Sequence, residues 1–233
     1  MSFIKLILKK NKYVYNVCLF LYSIYEKLVD ATIPFSFQKL TKRPFTFKMI
    51  NGEGVNFYPE GQLAKRIFSN SFENFQLNAF QQILKPGMVV VDAGANIGLY
   101  TMIASKIIST EAKVFAFEPS IESFNRLNSN IKLNNLNNII SINEGLGEEA
   151  SNLILRQDEG YGDAERYLFS DNEAPDIGLE DIVLKKEEEI VINTLDNNLL
   201  KRNINKIDFL KIDTEGFEYY ILKGAEEILK NSP

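Results

Sequence analysis

The stretch VVVDAGANIGLYT, Val89 to Thr101, places one carboxylate and two glycines between an apolar run and a helix-like pattern. Gly94 and Gly98 allow a tight turn from strand to helix and a close approach of the backbone to a ligand. Exposed backbone amides at the start of a helix favour polar or anionic groups. Asp92, at the tip of the apolar run, would repel a pyrophosphate, so it indicates a ligand with a positive or hydrogen-bond-donating group.

Glu118 ends the next apolar run, KVFAFEP. In nucleoside-binding folds of this type, an acid at that place accepts hydrogen bonds from both ribose hydroxyls. A dinucleotide fingerprint would have glycine at position 96, where this chain has Asn96. A ribose without a pyrophosphate, beside a positive group, fits S-adenosylmethionine better than NAD. The residues therefore predict an S-adenosylmethionine site, with an NAD-linked oxidoreductase as the less favoured alternative.

Asp213 and Glu215 lie at the end of a further apolar run, IDFLKID. Methyl transfer to an alcohol needs orientation and a base. Because the chain has 0 His, the base must be a carboxylate, a Lys, a Tyr or a water. We predict that Asp213 orients or deprotonates the acceptor, supported by Lys211 or Glu215. The two carboxylates could instead hold Mg²⁺, a hard ion that takes oxygen ligands. For Glu218 we favour a structural role in the first helical turn.

The elements that position these residues alternate between strand and helix. The runs MVVVDAG, KVFAFEP, NIISIN and IDFLKID lack polar alternation, as expected for strands buried on both faces of a parallel sheet. They predict an α/β fold with a doubly wound, mainly parallel sheet, in which ligands bind where the strand order reverses. If the second and third strands lie on one side of the first and the fourth on the other, Asp92 and Asp213 flank that crevice.

The chain divides into three predicted segments. Residues 1–42 form a basic, aromatic helical segment, residues 43–84 a hairpin and a helix, and residues 85–233 the main domain. A polar insertion interrupts the main domain, and its charge run KKEEE, Lys185 to Glu189, is interpreted as a solvated surface loop. The last predicted helix is followed by NSP, a breaker that normally introduces another strand. The residues of this helix predicted to face inward are Phe217, Ile221, Ala225, Ile228 and Leu229. We therefore expect the domain to be C-terminally incomplete, and the chain alone to be poorly soluble because one strand edge stays open.

The amino-acid composition limits the classes of partner and the cellular location that we expect for the protein. A net charge of −5 and the absence of a basic face weigh against nucleic acid. One cysteine and no histidine exclude an internal disulfide and a Cys/His zinc site, so a reducing cytoplasm is the simplest location. The apolar part of the N-terminal segment falls short of the roughly 20 apolar residues that span a bilayer. We interpret the segment as a helix that packs on the domain or a partner, or alternatively as a basic amphipathic helix on a membrane surface.

Three motifs in order, DAGANIGLYT, FEPS followed by NRLNSNIKLN, and LKIDTEGFE, resemble those of the FkbM-type methyltransferases. These are S-adenosylmethionine-dependent enzymes of the class I Rossmann-like fold. The resemblance covers about Pro86 to Leu229 and implies methyl transfer to a hydroxyl, often on a sugar of a glycan or glycolipid or on a polyketide. By position, it implies that the cofactor is lined at its methionine end by Asp92, Gly94, Asn96 and Gly98, at the ribose by Glu118, and at the adenine edge by Glu144 and Leu146.

Each of these residues also has a purely structural interpretation. Gly98 could serve helix packing, Asn96 could cap a helix, and Glu118 could favour the start of the following helix. A non-catalytic nucleoside-binding module therefore remains as an alternative function.

Overall fold

The structure, a computed structural model, describes five segments: residues 43–109, 111–158, 166–169, 184–214 and 216–233. Residues 43–233 form one compact unit. Residues 1–42, for which the sequence predicts a helical segment, and Glu215 lie outside the described residues, so the predictions for them stay predictions. In the described segments, no helix combines the length and the apolar character that a membrane crossing requires.

Strands and helices follow one another in the predicted alternation. In chain order, the strands are β1 (Phe45–Lys48), β2 (Gly54–Phe57), β3 (Val90–Ala93), β4 (Val114–Phe117), β5 (Ile139–Ile142), β6 (Gly145–Leu146), β7 (Ser151–Asp158), β8 (Arg166–Phe169), β9 (Leu184–Asn193) and β10 (Phe209–Ile212). The helices are α1 (Gly61–Phe68), α2 (Asn74–Ile83), α3 (Leu99–Ile108), α4 (Ile121–Leu133), α5 (Leu195–Leu200), α6 (Glu218–Lys223) and α7 (Glu226–Asn231).

The central sheet has the order β10-β3-β4-β5, with all neighbouring strands parallel. All residues of β3 and β4 are buried, because helices cover both faces of the sheet. Leu199 of α5 and Ile221 of α6 belong to the core on one face, and Leu127 of α4 packs against Ala116 on the other. The predicted doubly wound class I Rossmann-like fold, with the order reversing beside β3, is therefore confirmed.

The insertion forms a second sheet of the order β6-β9-β7-β8, in which β7 pairs antiparallel with both β8 and β9. The interpretation of Lys185 to Glu189 as a surface loop is wrong, because these residues belong to β9. In the strand, two of the glutamates have specific partners. Glu187 binds Arg156 of β7 at 2.9 Å, and Glu188 accepts a 2.7 Å hydrogen bond from the backbone N–H of Ile121 at the start of α4.

The C-terminal helix differs from its prediction as well. The sequence predicts one helix, whereas the chain forms α6 and α7 with a break at Gly224. The reason is a tertiary cap, because the Asp196 carboxylate accepts 2.9 Å hydrogen bonds from the backbone N–H groups of Glu227 and Ile228 and so fixes a new helix start. Ile228 is buried as predicted, but Leu229 is 36% exposed and does not face the core.

In the described part of the chain, β10 is an edge strand of the central sheet. It pairs with β3 on one side, and no described strand pairs with its other side. Phe80 of α2 packs edge to face on Phe209 of this strand, with ring centroids 5.2 Å apart. Coverage of this edge by further strands stays a prediction.

The N-terminal hairpin, β1 and β2, forms as predicted and is held to the sheet by helix α4. The side-chain oxygen of Asn134 accepts a 2.7 Å hydrogen bond from the N–H of Asn56, and its amide donates one of 2.7 Å to the carbonyl of the same residue. One amide side chain thus satisfies a backbone donor and a backbone acceptor, as a neighbouring strand would.

Replacing Asn134 by Ala leaves both Asn56 backbone groups without that partner. Such a loss costs about 1–3 kcal/mol, so we expect the free energy of unfolding in urea to fall by that amount. Asn125→Ala is the matched control, since Asn125 is an exposed residue of the same helix and surface changes lie within about 0.5 kcal/mol. Equal stabilities of the two variants would contradict this role of Asn134.

Candidate functional site

A cavity of about 310 Å³ opens where the carboxyl ends of the central strands meet, a size and a place typical of small-molecule sites in open α/β sheets. Its lining carries four carboxylates and two cationic side chains, so the lining favours a ligand with positive charge. The charged residues of the lining are Glu73, Glu118, Glu144, Asp213, Arg66 and Lys211.

Gly94 forms the turn that opens the cavity after β3. Its backbone has φ 76°, in the left-handed region that favours glycine. A side chain at this position would collide with the backbone carbonyl of Asp213. The residue therefore lets the loops after β3 and β10 approach each other, and both loops line the cavity.

Gly98 is placed behind the cavity wall rather than in it. It precedes α3 with φ 93°, and a side chain there would lie 2.5 Å from Cδ1 of Leu127. This placement agrees with the helix-packing interpretation of Gly98. Because Gly98 does not line the cavity, its geometry does not support the predicted contact with the methionine end of a cofactor.

Asp92 is also absent from the lining of the cavity and is only 1% exposed. Thr101 Oγ1 donates a 2.6 Å hydrogen bond to its Oδ2, and Lys211 Nζ forms an ion pair with its Oδ1 at 3.1 Å. That pair lacks the angles of a hydrogen bond, so among the described residues Oδ1 has no hydrogen-bond partner. The charge of Asp92 thus acts on the lysine, which in turn donates a 3.0 Å hydrogen bond to the carbonyl of Gly94.

Glu118 brings a buried carboxylate to the cavity at the tip of β4, 7% exposed. Its two oxygens accept backbone hydrogen bonds from Asn96 (2.8 Å) and Ser120 (3.0 Å). These two hydrogen bonds fix the carboxylate in the lining of the cavity. The backbone N–H of Asn96 donates to Glu118 and is therefore not available to bind an anion. This arrangement weighs against a ligand that carries a pyrophosphate.

The predicted adenine-edge residues, Glu144 and Leu146, both line the cavity after β5. Glu144 is fixed by a 2.9 Å hydrogen bond from the side-chain amide of Asn198. Phe117 and Leu155 add apolar surface near them. Leu155 belongs to β7, so the insertion contributes to the wall of the cavity, which the sequence did not predict.

Asp213 lies in the lining just after β10, and its side chain is 53% exposed. Lys211 Nζ is 3.8 Å from its Oδ2. In the described segments no side chain or backbone group donates a hydrogen bond to this carboxylate, in contrast to the other carboxylates of the lining. Glu215 lies outside the described residues, and the described part of the chain contains no group of three or more metal-ligating side chains.

Tyr100 and Glu73 are lining residues that the sequence analysis did not identify as such. The Tyr100 hydroxyl donates a 2.7 Å hydrogen bond to Glu73 Oε2, and Lys211 Nζ lies 5.1 Å from the centre of the ring. Burial, and then the hydrogen bond to Glu73, raise the pKa of Tyr100 far above its usual range, so this phenol is a donor and not a general base. Tyr100 lies within the motif DAGANIGLYT, whereas no sequence signal marked Glu73.

Glu218 takes the structural role predicted for it, in the first turn of α6. Burial raises the pKa of Glu218, but hydrogen bonds from the N–H groups of Glu218 itself, Gly216 and Thr214 outweigh that effect and hold the pKa below its usual value. The carboxylate thereby orders the loop that follows β10 and does not line the cavity.

We expect Lys211→Met to leave Asp92 as a buried charge without its counter-ion. Removal of one partner of a buried pair costs about 3–5 kcal/mol, and urea unfolding measures the loss. Lys206→Met, at an exposed lysine of the neighbouring loop, is the control. In a double-mutant cycle, Asp92→Asn should recover part of the loss in the Lys211→Met background. Additive effects of the two substitutions would show that the pair carries no coupling.

Comparison with known proteins adds to this geometry. Residues 92–232 match the family model of the methyltransferase FkbM domain. Methyltransferase sdnD of Sordaria araneosa is 28% identical over 157 residues, which cover 59% of this chain and 60% of that protein. Methyltransferase 1 of Beauveria bassiana (strain ARSEF 2860) is 26% identical over 146 residues, covering 59% of this chain and 58% of that protein. The chain thus spans less than two thirds of the length of either relative.

A solved structure, the methyltransferase FkbM from Methylobacillus flagellatus KT, is similar to this chain with a TM-score of 0.41 and 17% sequence identity. The superposition covers 72% of this chain and 41% of that one.

Proposed function

Because this chain belongs to the FkbM family of S-adenosylmethionine-dependent methyltransferases, we propose that its cavity binds S-adenosylmethionine and that the protein methylates a hydroxyl group. The acceptor we propose is a sugar of a glycan or glycolipid. The observation that carries the proposal is the Glu118 carboxylate, which is buried at the tip of β4 and lines the cavity.

The residues present fit this cofactor in four respects. Glu118 offers acceptors to the ribose hydroxyls. The excess of carboxylates in the lining favours the positive sulfonium and ammonium groups. Phe117, Leu146 and Leu155 provide apolar surface for an adenine ring. Gly94 lets the backbone approach the ligand closely.

When bound, S-adenosylmethionine supplies an electrophilic methyl group for attack by an oxygen. Asp213 accepts the proton of the acceptor hydroxyl, because it is the lining carboxylate that no described group engages as a hydrogen-bond acceptor. Lys211 is a positioning residue, since it joins Asp92, the carbonyl of Gly94 and the carboxylate of Asp213. The proposal thus gives separate tasks to the three acids: Asp92 orients the lysine, Glu118 binds the cofactor and Asp213 takes the proton.

Glu118→Ala removes the proposed ribose acceptor, so S-adenosylmethionine should bind more weakly by about 1–3 kcal/mol, or roughly 5- to 150-fold. Calorimetry measures this, with Glu148→Ala at an exposed position as the control and thermal unfolding as a check of the fold. NAD serves as the competing ligand. Binding of NAD with no binding of S-adenosylmethionine would reject the proposed cofactor.

Asp213→Asn should leave the affinity for S-adenosylmethionine within about twofold and lower turnover by about 10²–10⁴-fold, as loss of a general base does. Formation of S-adenosylhomocysteine with a panel of sugar and alcohol acceptors measures turnover, and Glu226→Gln is a surface control. Wild-type turnover in Asp213→Asn would restrict Asp213 to a structural role.

The same assay separates the alternatives. Activity that EDTA abolishes and Mg²⁺ restores would assign the carboxylates after β10 to a metal. Tight binding of S-adenosylmethionine without turnover on any acceptor would support a non-catalytic nucleoside-binding module.

A further inference from the structure

One side of the cavity comes from a part of the chain that precedes the family match. Helix α1 and the loop after it contribute Leu63, Arg66, Phe72 and Glu73 to the lining, whereas the family match begins at residue 92. The cofactor contacts proposed above all lie within the match. The side formed by α1 is therefore available for the other substrate.

Arg66 is the charged group on this side whose binding capacity is unused. In the described segments its guanidinium forms no ion pair and donates no hydrogen bond. Within the same described segments, the guanidinium makes a cation–π contact with Phe72, whose ring centre lies 5.0 Å from the guanidinium carbon. A guanidinium that lies over an aromatic ring retains N–H donors that can bind an anion in bidentate fashion.

The backbone at Arg66 is held in place. Its carbonyl accepts hydrogen bonds from the N–H of Ser71 (3.0 Å) and from the hydroxyls of Ser69 (3.0 Å) and Ser71 (3.3 Å). The loop that carries Phe72 is thus tied to the helix end that carries Arg66. An ordered loop lowers the conformational entropy that would be lost in holding Phe72 beside Arg66 when a ligand binds.

Arg66 is an exposed residue, and the helix dipole is the simplest alternative explanation for its charge. Arg66 lies in the last turn of α1, where a positive charge is favoured by the helix dipole. Lys65 already provides a positive charge in the same turn and does not line the cavity. The dipole therefore does not account for the position of Arg66 at the cavity.

From this geometry we infer that Arg66, whose guanidinium lies over the ring of Phe72, is a specificity-determining residue that binds an anionic group of the acceptor, a carboxylate or a phosphate. The inference rests on the proposed function, because it assumes that the rest of the cavity holds the cofactor. It narrows the acceptor from any hydroxylated molecule to one that carries a negative charge.

Three sugar probes of similar size test the inference: methyl glucoside, which is neutral, methyl glucuronoside, which carries a carboxylate, and glucose 6-phosphate. Their affinities are measured by calorimetry with saturating S-adenosylhomocysteine and again without it. We expect the wild type to bind at least one anionic probe about 10- to 100-fold more tightly than the neutral one, the range for charge-assisted hydrogen bonds. The two anionic probes distinguish a carboxylate from a phosphate acceptor.

Arg66→Gln should abolish this preference, and Arg66→Lys should keep part of it, because a lysine retains the charge but not the planar fork. Lys65→Gln, which removes one positive charge from the same helical turn, should leave the preference intact. Equal affinity of the wild type for all probes, including no binding of any, overturns the inference, as does a preference that persists in Arg66→Gln.

The affinity for S-adenosylhomocysteine separates this inference from the proposed function. We expect Arg66→Gln to bind it within about twofold of the wild type. A large loss of that affinity in Arg66→Gln would assign Arg66 to the carboxylate of the cofactor and overturn the inference. If the wild type fails to bind S-adenosylhomocysteine, the proposed function is rejected, and the probe series without it still decides whether Arg66 binds anions.

Discussion

The buried ion pair between Asp92 and Lys211 is the interaction on which the site depends. The two residues face each other in register on the parallel strands β3 and β10, and the charges meet at 3.1 Å with little solvent contact. A buried charge without a partner destabilises the fold. A shift of either strand along the other would separate the two charges and is therefore unfavourable. The pair therefore fixes how the two loops at the end of these strands meet.

The geometry of the cavity follows from that constraint. Lys211 also binds the carbonyl of Gly94, and Gly94 approaches the carbonyl of Asp213 too closely for any side chain. The turn after β3 and the loop after β10 are thus held together at one point. Glu118 is brought to the same cavity from β4, the neighbour of β3 on its other side. Three adjacent strand tips thus carry acids of different exposure, and on that difference we base the proposal that Glu118 binds the cofactor and Asp213 acts as the base.

Segments outside the central sheet complete the cavity. The insertion contributes Leu155 on the apolar side, and its Glu188 accepts a hydrogen bond at the start of α4. The segment that precedes the central sheet in the sequence contributes Glu73 and Arg66. Glu73 accepts a hydrogen bond from the Tyr100 hydroxyl, and the Arg66 guanidinium lies over the ring of Phe72. Family membership rests on residues 92–232, so it describes the sheet edge but not the wall formed by α1. The α1 side of the cavity, which lies outside the family match, is the side to which we assign the anionic group of the acceptor.

The sequence by itself determined the fold class, the four parallel strands and the place of the cavity. Unbroken apolar runs have few alternatives to burial in a parallel sheet, and glycines in a strand-to-helix turn are a local signal. What only the tertiary structure decided was which side chain meets which. Asp92 and Gly98 belong to the same motif as Gly94, yet both lie behind the cavity wall, because Lys211 and Leu127, distant in sequence, occupy the space beside them. Two further features also depend on partners that are distant in sequence. Arg156 pairs with Glu187 of the charged strand β9, and Asp196 accepts a hydrogen bond at the start of α7. Hydrophobic periodicity is a property of a segment, whereas the pairing of polar groups depends on neighbours that folding alone brings together.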